Sequence, residues 1–348
     1  MMRALGAVSY RLCLGALAGL FLALMTSTFE LRTWPFELLS HFVLQYLLAA
    51  CFLCLAFLAI GRKTAAALAL VVVFTFAADY QQAPHTLGDI ASIPVGLAKA
   101  SVTKDPGLPS HRLSLITHNV YRSNSRPEDV AAWLATRPAE VIALEELPDG
   151  MAGRLQALSH VYRHQFIIEP GSRLNSEFYA GRESLAILSI HPIIARAVVR
   201  PSGQGKISLL AQISVPGAED PWIVVVHPPN PAGPARLPAR DSYLFDLAGL
   251  IAELDGPVIV AGDFNVAPYA PAFPRFLSAS RTSTSRDFPA TWPSVLGPLG
   301  IPIDHVLVRE ARIIGLQALP AMGSDHRALK AEILLPALSE EWEYAGRP

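Results

Sequence analysis

The chain contains 348 residues, of which 51% are hydrophobic, and its 28 Lys and Arg nearly balance its 29 Asp and Glu. The mean hydropathy of +0.35 is high for a wholly soluble protein, and the excess lies at the amino-terminal end. Residues 101–348 carry 22 basic and 25 acidic side chains, a net charge of −3, without a basic stripe. This balance argues against a tight binder of duplex DNA. The length allows one large domain or two of ordinary size.

Three apolar stretches occupy the first part of the chain, at residues 12–29, 36–60 and 65–78. The second is long enough to cross a bilayer with some tilt, and the first is near the minimum length. The third is short enough to be an interfacial or buried helix instead. The pattern predicts a transmembrane region over residues 1–80 with two or three helices. Glu37 and His41 lie one turn apart near the start of the second stretch, where we expect a solvated pair at the membrane interface.

Basic residues predict the orientation of this region. Arg3 and Arg11 flank the start of the first stretch, and Arg62 and Lys63 lie between the second and the third. Because basic loops stay in the cytoplasm, three spans place the remainder of the chain outside the cytoplasm, whereas two spans keep it in the cytosol. Residues 81–110, which follow, contain several prolines and glycines and are typical of a linker.

From residue 111 onward, strand-like and helix-like patterns alternate. Strands are predicted at residues 113–120, 141–144, 162–168, 185–189, 207–215, 222–226, 258–261, 303–308 and 328–335. Helices are predicted at residues 127–137, 148–158 and 241–254. There are too many strands and too few crossover helices for a simple doubly wound sheet. The pattern therefore predicts an α/β domain over residues 111–336, with two packed, mainly antiparallel sheets flanked by helices, and a tail over residues 337–348.

The centre of this domain is the stretch at residues 257–265. Its β-branched residues predict a buried strand that ends at Gly262, after which Asp263 and Asn265 point to one face and Phe264 points to the other. A carboxylate and an amide at the end of a strand suit a divalent cation or a phosphoryl group. On its own, the pair is explained equally well by a simple turn.

The same arrangement recurs, because five buried strands run into polar or charged residues at or just past their ends. These residues are Asn119, Glu146, His227, Asp263 with Asn265, and Asp304 with His305; Ser324, Asp325 and His326 precede the last strand. Each of them alone is explained as a cap, a turn or a buried polar group with a partner. Six such positions, all suited to one metal and phosphate site, indicate catalytic chemistry.

These motifs resemble those of the endonuclease/exonuclease/phosphatase superfamily, which includes DNase I-like nucleases, inositol-polyphosphate phosphatases and sphingomyelinases. The match runs in order over residues 111–336, and its strongest signatures are Gly-Asp-Phe-Asn at 262–265 and Ser-Asp-His at 324–326. With apolar segments in front, the chain is similar to a bacterial membrane-anchored branch. The resemblance implies a four-layer α/β sandwich and phosphoester hydrolysis with Mg²⁺, or with Mn²⁺ in its place. Together with the basic residues, it implies the bacterial inner membrane, with the catalytic domain outside the cytoplasm.

The resemblance also implies a metal site. Asn119 and Glu146 correspond to the pair that the family uses as metal ligands, and their oxygens suit a hard cation. Asp325 is a further carboxylate that either binds the metal or orients a histidine. Tyr121 stands where some nucleases have an acidic ligand, which weakens a second coordination position.

Catalytic roles follow in the same way. Asp263 orients or deprotonates the attacking water, and Asn265 holds a phosphate oxygen. His326, oriented by Asp304, contacts the phosphoryl oxygens or transfers a proton. His227 stabilises the charge of the transition state or protonates the leaving oxygen.

Four further residues lie near the predicted site in the sequence. Two of them have a structural interpretation, and two have both a structural and a functional one. Glu145 and His118 alternate with the site residues along their strands, so we expect both to point away from the site. Arg240 either grips a phosphate or lies on the surface. Trp292 either lines the cleft or packs in the core.

The leading hypothesis is thus a membrane-anchored, metal-dependent phosphoesterase. Its substrate is a nucleic acid, a phospholipid or a small phosphoester, and the charge balance favours the latter two. One alternative is a catalytically inactive, membrane-tethered binding or regulatory module on the same fold. Another is a small transporter or membrane sensor, although three spans are few for a transport pathway. Apart from the lipid bilayer and the substrate, the sequence indicates no partner.

Overall fold

The computed structural model describes residues 2–28, 33–81, 110–169, 183–202 and 206–338. Most of the predicted linker, residues 82–109, and the tail after residue 338 lie outside these ranges. The chain begins with the helices α1 (Met2–Thr28), α2 (Phe36–Leu39), α3 (Val43–Ala59) and α4 (Lys63–Gln81). A short 3-10 segment, Ser40–Phe42, joins α2 to α3. The helical stretch Phe36–Ala59 is long and apolar enough to cross a membrane, whereas Tyr10–Met25 and Lys63–Ala78 are shorter apolar helices.

The helices α1, α3 and α4 pack against one another through an apolar core. Leu20, Phe57 and Phe76 are buried in it, and small residues such as Ala50 and Ala69 let the helices approach closely. The outer faces of the same helices carry exposed large apolar side chains: Leu12, Phe21, Leu22, Phe52, Leu55, Leu58, Leu68, Val71 and Phe74. This amino-terminal bundle is therefore apolar on its outside as well as on its inside.

The remainder of the described chain forms two mixed sheets with helices on their outer faces. Its strands are β1 (Ser110–Asn119), β2 (Val141–Glu145), β3 (His164–Ile168), β4 (Leu185–Ser189), β5 (Ile193–Val199), β6 (Ser208–Ile213), β7 (Trp222–Val226), β8 (Val258–Asp263), β9 (Asp304–Arg309), β10 (Arg312–Ala318) and β11 (Leu329–Pro336). The first sheet has the order β10-β11-β1-β2-β4-β3, and the second has the order β5-β6-β7-β8-β9. The pairs β1–β2 and β7–β8 are parallel, and the remaining pairs are antiparallel.

Each sheet is apolar on both of its faces. The inner faces of the two sheets pack against each other, and the outer faces pack against helices. Leu115 of β1 and Ile259 of β8 belong to the core between the sheets. On the outer faces, Ile116 packs under the helices α5 (Pro127–Ala135) and α6 (Met151–Gln156). Val260 packs under α7 (Arg236–Ala252) and α8 (Ala272–Ser280). Each fully buried Leu, Ile or Val contributes about 1.5–3 kcal/mol. The predicted pair of sheets flanked by helices is confirmed.

Three elements escaped the sequence analysis, namely β5, β10 and α8. The two strands lie at sheet edges, where partly exposed side chains replace the buried apolar run that marks a central strand. In addition, α7 begins at Arg236, before the predicted residue 241, because the proline-rich segment in front of it continues into the helix.

Candidate active site

The strand register brings the predicted site residues to one edge of the two sheets. The parallel pair β1–β2 sets Asn119 opposite Glu145, so Asn119 and Glu146 leave their strands side by side. In the second sheet, Asp263 lies directly opposite Asp304 across the antiparallel pair β8–β9. A cavity of about 660 Å³ at this edge, the catalytic cavity, is lined by Asn119, Glu146, His227, Asp263, Asn265, Asp325 and His326 among others. Asp304 lies beneath it, bonded to His326.

Gly262 explains why β8 can bring Asp263 so close to β7. Its φ is +149°, and a Cβ built at this position would lie 2.0 Å from the backbone oxygen of Val226. Only glycine therefore fits between the two parallel strands. The next turn also holds Asn265 at a φ of +51°, and Glu146 has the same φ of +51° after β2. Backbone strain of this kind in non-glycine residues clusters at functional sites.

Asp263 is the centre of the hydrogen-bond network. Its Oδ2 accepts hydrogen bonds from Nδ2 of Asn119 at 3.1 Å and from Nδ2 of Asn265 at 3.3 Å. Its Oδ1 accepts one from the backbone N–H of Asn265 at 2.8 Å. Oδ2 also lies 3.8 Å from Nε2 of His326 and 3.9 Å from Nε2 of His227. Burial raises the pKa of this carboxyl, because nearby imidazolium groups only partly offset the loss of solvent.

Asp304 and His326 form a buried ion pair. Oδ2 of Asp304 lies 2.9 Å from Nδ1 of His326, and the backbone N–H of His326 donates to Oγ of Ser324 at 3.0 Å. Burial alone lowers the pKa of His326, but the charges of Asp304 and Asp263 outweigh it and raise this pKa to about 10. The reciprocal attraction lowers the pKa of Asp304 in spite of its burial. The imidazole is therefore a cation whose Nε2 faces Asp263.

His227 belongs to a second network, which contains two residues that the sequence analysis missed. Its Nε2 lies 3.2 Å from Glu146 and its Nδ1 lies 3.2 Å from Glu183. Glu183 also pairs with Lys206 at 3.1 Å, and Lys206 lines the catalytic cavity. Burial raises the pKa of Glu183, but the charges of His227 and Lys206 outweigh it and lower this pKa to about 2. The pKa of His227 is raised, since its two carboxylate partners outweigh burial and the charge of Lys206.

Comparison with known proteins identifies the family of this chain. A model of the Endonuclease/Exonuclease/phosphatase family matches residues 116–326, which is more than half of the chain. The chain belongs to this family. No curated protein sequence matches the chain.

Solved structures share the fold of this family member at low identity. An endonuclease/exonuclease/phosphatase from Beutenbergia cavernae DSM 12333 has 17% identity and a TM-score of 0.51, over 65% of this chain and 72% of the other. An endonuclease/exonuclease/phosphatase from Bacteroides vulgatus has 15% identity and a TM-score of 0.52, over 65% of this chain and 99% of the other. A functionally unknown conserved protein from Enterococcus faecalis V583 has 17% identity and a TM-score of 0.52, over 64% and 99%. Identities this low establish the fold alone.

Members of the endonuclease/exonuclease/phosphatase family are metal-dependent phosphoesterases, and this chain offers a set of oxygen ligands. Oδ1 of Asn119 accepts from the backbone N–H of Tyr121, and Oε2 of Glu146 accepts from that of Arg122, so one turn holds both side chains. Oδ1 of Asp325 is buried and has no hydrogen-bond partner among the described residues. A buried carboxylate oxygen without a partner among the described residues and a Glu146 carboxylate that is 27% exposed fit a hard divalent cation.

Asp263, Asp304 and His326 are a second group with metal-ligand character, since one ligand atom from each lies within 4.8 Å of the others. The bond to Asp304 already occupies Nδ1 of His326. The group therefore offers two carboxylates and one imidazole nitrogen, and imidazole is a softer ligand than Mg²⁺ prefers. The oxygen ligands around Glu146 therefore fit Mg²⁺ better than this group does.

Three neighbouring residues serve the structure. Glu145 is fully buried and accepts a hydrogen bond from Oγ1 of Thr117 at 2.9 Å, and burial raises its pKa well above the ordinary value. Burial likewise lowers the pKa of His118 to about 4. His305 packs among phenylalanines, and its Nε2 lies 2.8 Å from the backbone oxygen of Val266.

The structure decides the open interpretations of Arg240 and Trp292. Arg240 is not on the surface: it is fully buried, and its guanidinium bonds Glu37 and Asp241, each at 2.7 Å. The expectation of a solvated pair at Glu37 and His41 is therefore wrong, since both side chains are buried where the amino-terminal bundle meets the catalytic domain. Trp292 lines the cavity, and its Nε1 donates to Asp325 at 3.1 Å.

Proposed function

We propose that this family member is a membrane-anchored hydrolase that cleaves phosphoester bonds with a bound Mg²⁺ ion. The observation that carries the proposal is the convergence of three groups in one cavity. They are an imidazolium oriented by a carboxylate, a buried carboxylate with a raised pKa, and a set of oxygen ligands. Each has a role in the attack of water on a phosphoryl group.

The metal ligands in this proposal are Glu146, Asn119 and Asp325. When bound, the ion neutralises negative charge on the phosphoryl oxygens. Glu146 keeps its carboxylate ionised, because its bond to His227 and the nearby charge of Lys206 lower its pKa in spite of burial. Mn²⁺ suits the same oxygen ligands and is the second candidate ion.

Asp263 is the proposed base. It accepts a proton from the attacking water while the water oxygen forms the new bond to phosphorus, and its raised pKa increases its affinity for that proton. The hydrogen bonds from Asn119 and Asn265 keep the carboxylate aimed into the cavity. Nδ2 of Asn265 is the proposed donor to a phosphoryl oxygen, which would replace its long hydrogen bond of 3.3 Å to the backbone oxygen of Pro228.

The two histidines are the proposed sources of positive charge. His326, held as a cation by Asp304, donates a hydrogen bond from Nε2 to a phosphoryl oxygen as negative charge develops. His227 contributes its positive charge while its ring nitrogens contact Glu146 and Glu183, and its Nε2 becomes a donor when Glu146 turns to the ion. As the ester bond from phosphorus to the leaving oxygen breaks, that oxygen takes a proton from one of the two histidines. Mutation of each histidine, with substrates whose leaving groups differ in pKa, distinguishes the donor from the group that only stabilises charge.

Membrane anchoring is supported by the exposed apolar outside of the amino-terminal bundle, which a solvated protein would bury. The turn between α3 and α4 carries Arg62 and Lys63, whereas the opposite end of α3 adjoins the catalytic domain. We expect this turn in the cytoplasm and the catalytic domain, residues 111–336, on the outer side of the bacterial inner membrane. A reporter fused after residue 336 tests the orientation, and cytosolic reporter activity would contradict it.

The central test is turnover of bis(p-nitrophenyl) phosphate by the full-length protein with Mg²⁺, with and without EDTA. We expect Glu146→Gln to lower kcat/KM by about a hundredfold or more at limiting Mg²⁺, because an amide is a weaker ligand than a carboxylate of the same shape. The matched control is Glu253→Gln at an exposed helix end. The absence of turnover with any divalent ion supports the inactive module instead.

A further inference from the structure

One wall of the catalytic cavity comes from the amino-terminal bundle. Leu38, His41 and Phe42, at the start of the helical stretch Phe36–Ala59, line the same cavity as Glu146 and His326. This wall, residues 38–42, lies 77 residues or more before the catalytic residues in the sequence. In the proposed membrane-anchored arrangement, this cavity lies where that helix enters the bilayer.

Specific contacts hold this wall in place. Glu37 forms the buried ion pair with Arg240, whose guanidinium also donates to the backbone oxygen of Asn265 at 3.2 Å. Nε2 of Gln45 donates to the backbone oxygens of Leu299 at 2.8 Å and Gly300 at 2.9 Å. Because the docking involves a buried charge pair and two further hydrogen bonds, the position of the wall is a feature of the folded protein.

His41 provides the wall with unused hydrogen-bonding capacity. His41 is only 5% exposed, and its ring lies close to the backbone of Glu37 and Leu38, but neither ring nitrogen has a hydrogen bond of normal geometry within the described part of the chain. It borders both the catalytic cavity and an adjacent cavity of about 400 Å³ that is lined by Leu44, Tyr269 and Phe288, among others. A buried polar group that lacks a well-formed hydrogen bond costs about 1–3 kcal/mol, so a ligand that offers His41 a better partner would gain stability from that contact.

The rim of the cavity is apolar and exposed beside this wall. Val295 is 87% exposed, Leu296 50% and Leu299 52%, all in the segment Ser294–Leu299, which lies between the cavity-lining residues Trp292 and Ile301. The same segment receives the hydrogen bond from Gln45 of the candidate membrane helix. Exposed apolar side chains next to a membrane helix are suited to insertion into the bilayer surface.

We propose that the substrate is a phosphoester carried by a membrane lipid, which enters the catalytic cavity from the bilayer. This inference rests on the proposed phosphoesterase function. Leu38 and Phe42 contact the apolar part of the lipid next to its headgroup. His41 hydrogen-bonds a hydroxyl, amide or ester oxygen close to the phosphate, because a neutral imidazole offers one donor and one acceptor. The segment Ser294–Leu299 holds the mouth of the cavity in the bilayer.

The first experiment measures insertion without activity. A fluorescent nitrobenzoxadiazole label is attached at Val295→Cys in the full-length chain, after Cys13, Cys51 and Cys54 are replaced by Ala. The protein is reconstituted in vesicles of phosphatidylethanolamine and phosphatidylglycerol. The matched control is Ile194→Cys, an exposed apolar position of β5, whose register with β6 places it at the end of the second sheet remote from the cavity. We expect a blue shift and quenching by spin-labelled lipid at 295 and neither at 194. Equal spectra at the two positions overturn the proposal.

The second experiment compares hydrolysis of the vesicle lipids with that of bis(p-nitrophenyl) phosphate and plasmid DNA. We expect His41→Ala to lower kcat/KM on the lipids by about tenfold, mainly through KM, and His41→Gln, which keeps a donor and an acceptor, to restore most of it. Val295→Ser with Leu296→Ser should lower lipid hydrolysis by roughly tenfold and leave hydrolysis of the soluble diester unchanged.

The outcomes separate the two proposals. Hydrolysis of the soluble diester or of DNA without hydrolysis of lipid overturns the lipid substrate and leaves the phosphoesterase intact. Equal losses on lipid and soluble diester in the Val295 and Leu296 variant also overturn it. Failure to hydrolyse any of the three substrates with any divalent ion overturns the proposed function itself, and the lipid substrate with it.

Discussion

The buried ion pair between Glu37 and Arg240 allows a quantitative test of how the amino-terminal bundle is joined to the catalytic domain. The perturbation is Arg240→Met, which keeps the approximate volume and removes the charge. Arg240 is fully buried and the Glu37 side chain is 2% exposed, so the substitution leaves an uncompensated buried carboxylate. Losing one member of such a pair costs about 3–5 kcal/mol.

The partner substitution has a smaller expected effect. After Glu37→Leu, Arg240 retains Asp241 at 2.7 Å and the backbone oxygen of Asn265, so we expect a cost of roughly 1–2 kcal/mol. The double variant contains no unpaired buried charge at this position. We therefore expect it to be more stable than Arg240→Met alone by about 2 kcal/mol.

The assay is thermal unfolding of the full-length protein in detergent, followed by circular dichroism. A loss of about 3–5 kcal/mol lowers the midpoint by roughly 6–20 °C, at about 2–4 °C for each kcal/mol in a large domain. The control is Arg236→Met, an exposed arginine one turn earlier in α7, which should shift the midpoint by about 1–2 °C at most. A loss below about 1 kcal/mol for Arg240→Met, or no recovery in the double variant, would refute the reasoning.

Two further predictions concern the catalytic domain. Asp304→Asn should lower kcat by about 10²–10⁴-fold, because asparagine does not stabilise the His326 imidazolium, while Mg²⁺ binding measured by calorimetry stays nearly unchanged. His326→Ala should lower kcat at least as much. If the losses of the two single variants add in the double variant, the two residues act separately. Away from the site, partial burial tends to raise the pKa of Glu140, but hydrogen bonds from His191 and Ser114 outweigh it and lower this pKa to about 2. Glu140 therefore stabilises the fold above its unfolded pKa of about 4.5, and this stabilisation is lost as the pH falls towards 2. Glu140→Gln should cost about 1–2 kcal/mol at pH 7, after allowance for solvent screening, and almost nothing near pH 2; urea unfolding at both values measures this, and an equal cost at both contradicts the assignment.

Several properties could be predicted from the sequence because they depend on local patterns. Buried apolar runs define the central strands, and the polar residues that follow them, such as Asn119 and Asp263, necessarily lie at strand ends. The sequence therefore places polar residues at several strand ends, and the parallel pairs β1–β2 and β7–β8 of the structure bring those ends to one edge. The edge strand β5 was missed for the same reason, since its partly exposed residues lack the apolar run.

Glu183 and Lys206 required the strand pairing. Each precedes a strand, β4 or β6, and the start of an antiparallel strand lies at the same edge as the end of its neighbour. A search of strand starts as well as strand ends would have found both. Without knowledge of which strands are antiparallel, these two residues resemble ordinary polar residues of a loop.

The amino-terminal contacts were decided by the tertiary structure alone. Glu37 and Arg240 are 203 residues apart, and nothing in the sequence of either segment indicates the other as a partner. Their burial follows from the docking of the bundle on the catalytic domain, which depends on the complementary shapes and charges of two surfaces. The periodicity of a single segment carries no record of that contact. The sequence therefore predicts that His41 lies at the membrane interface, and only the tertiary structure shows that it lines the catalytic cavity.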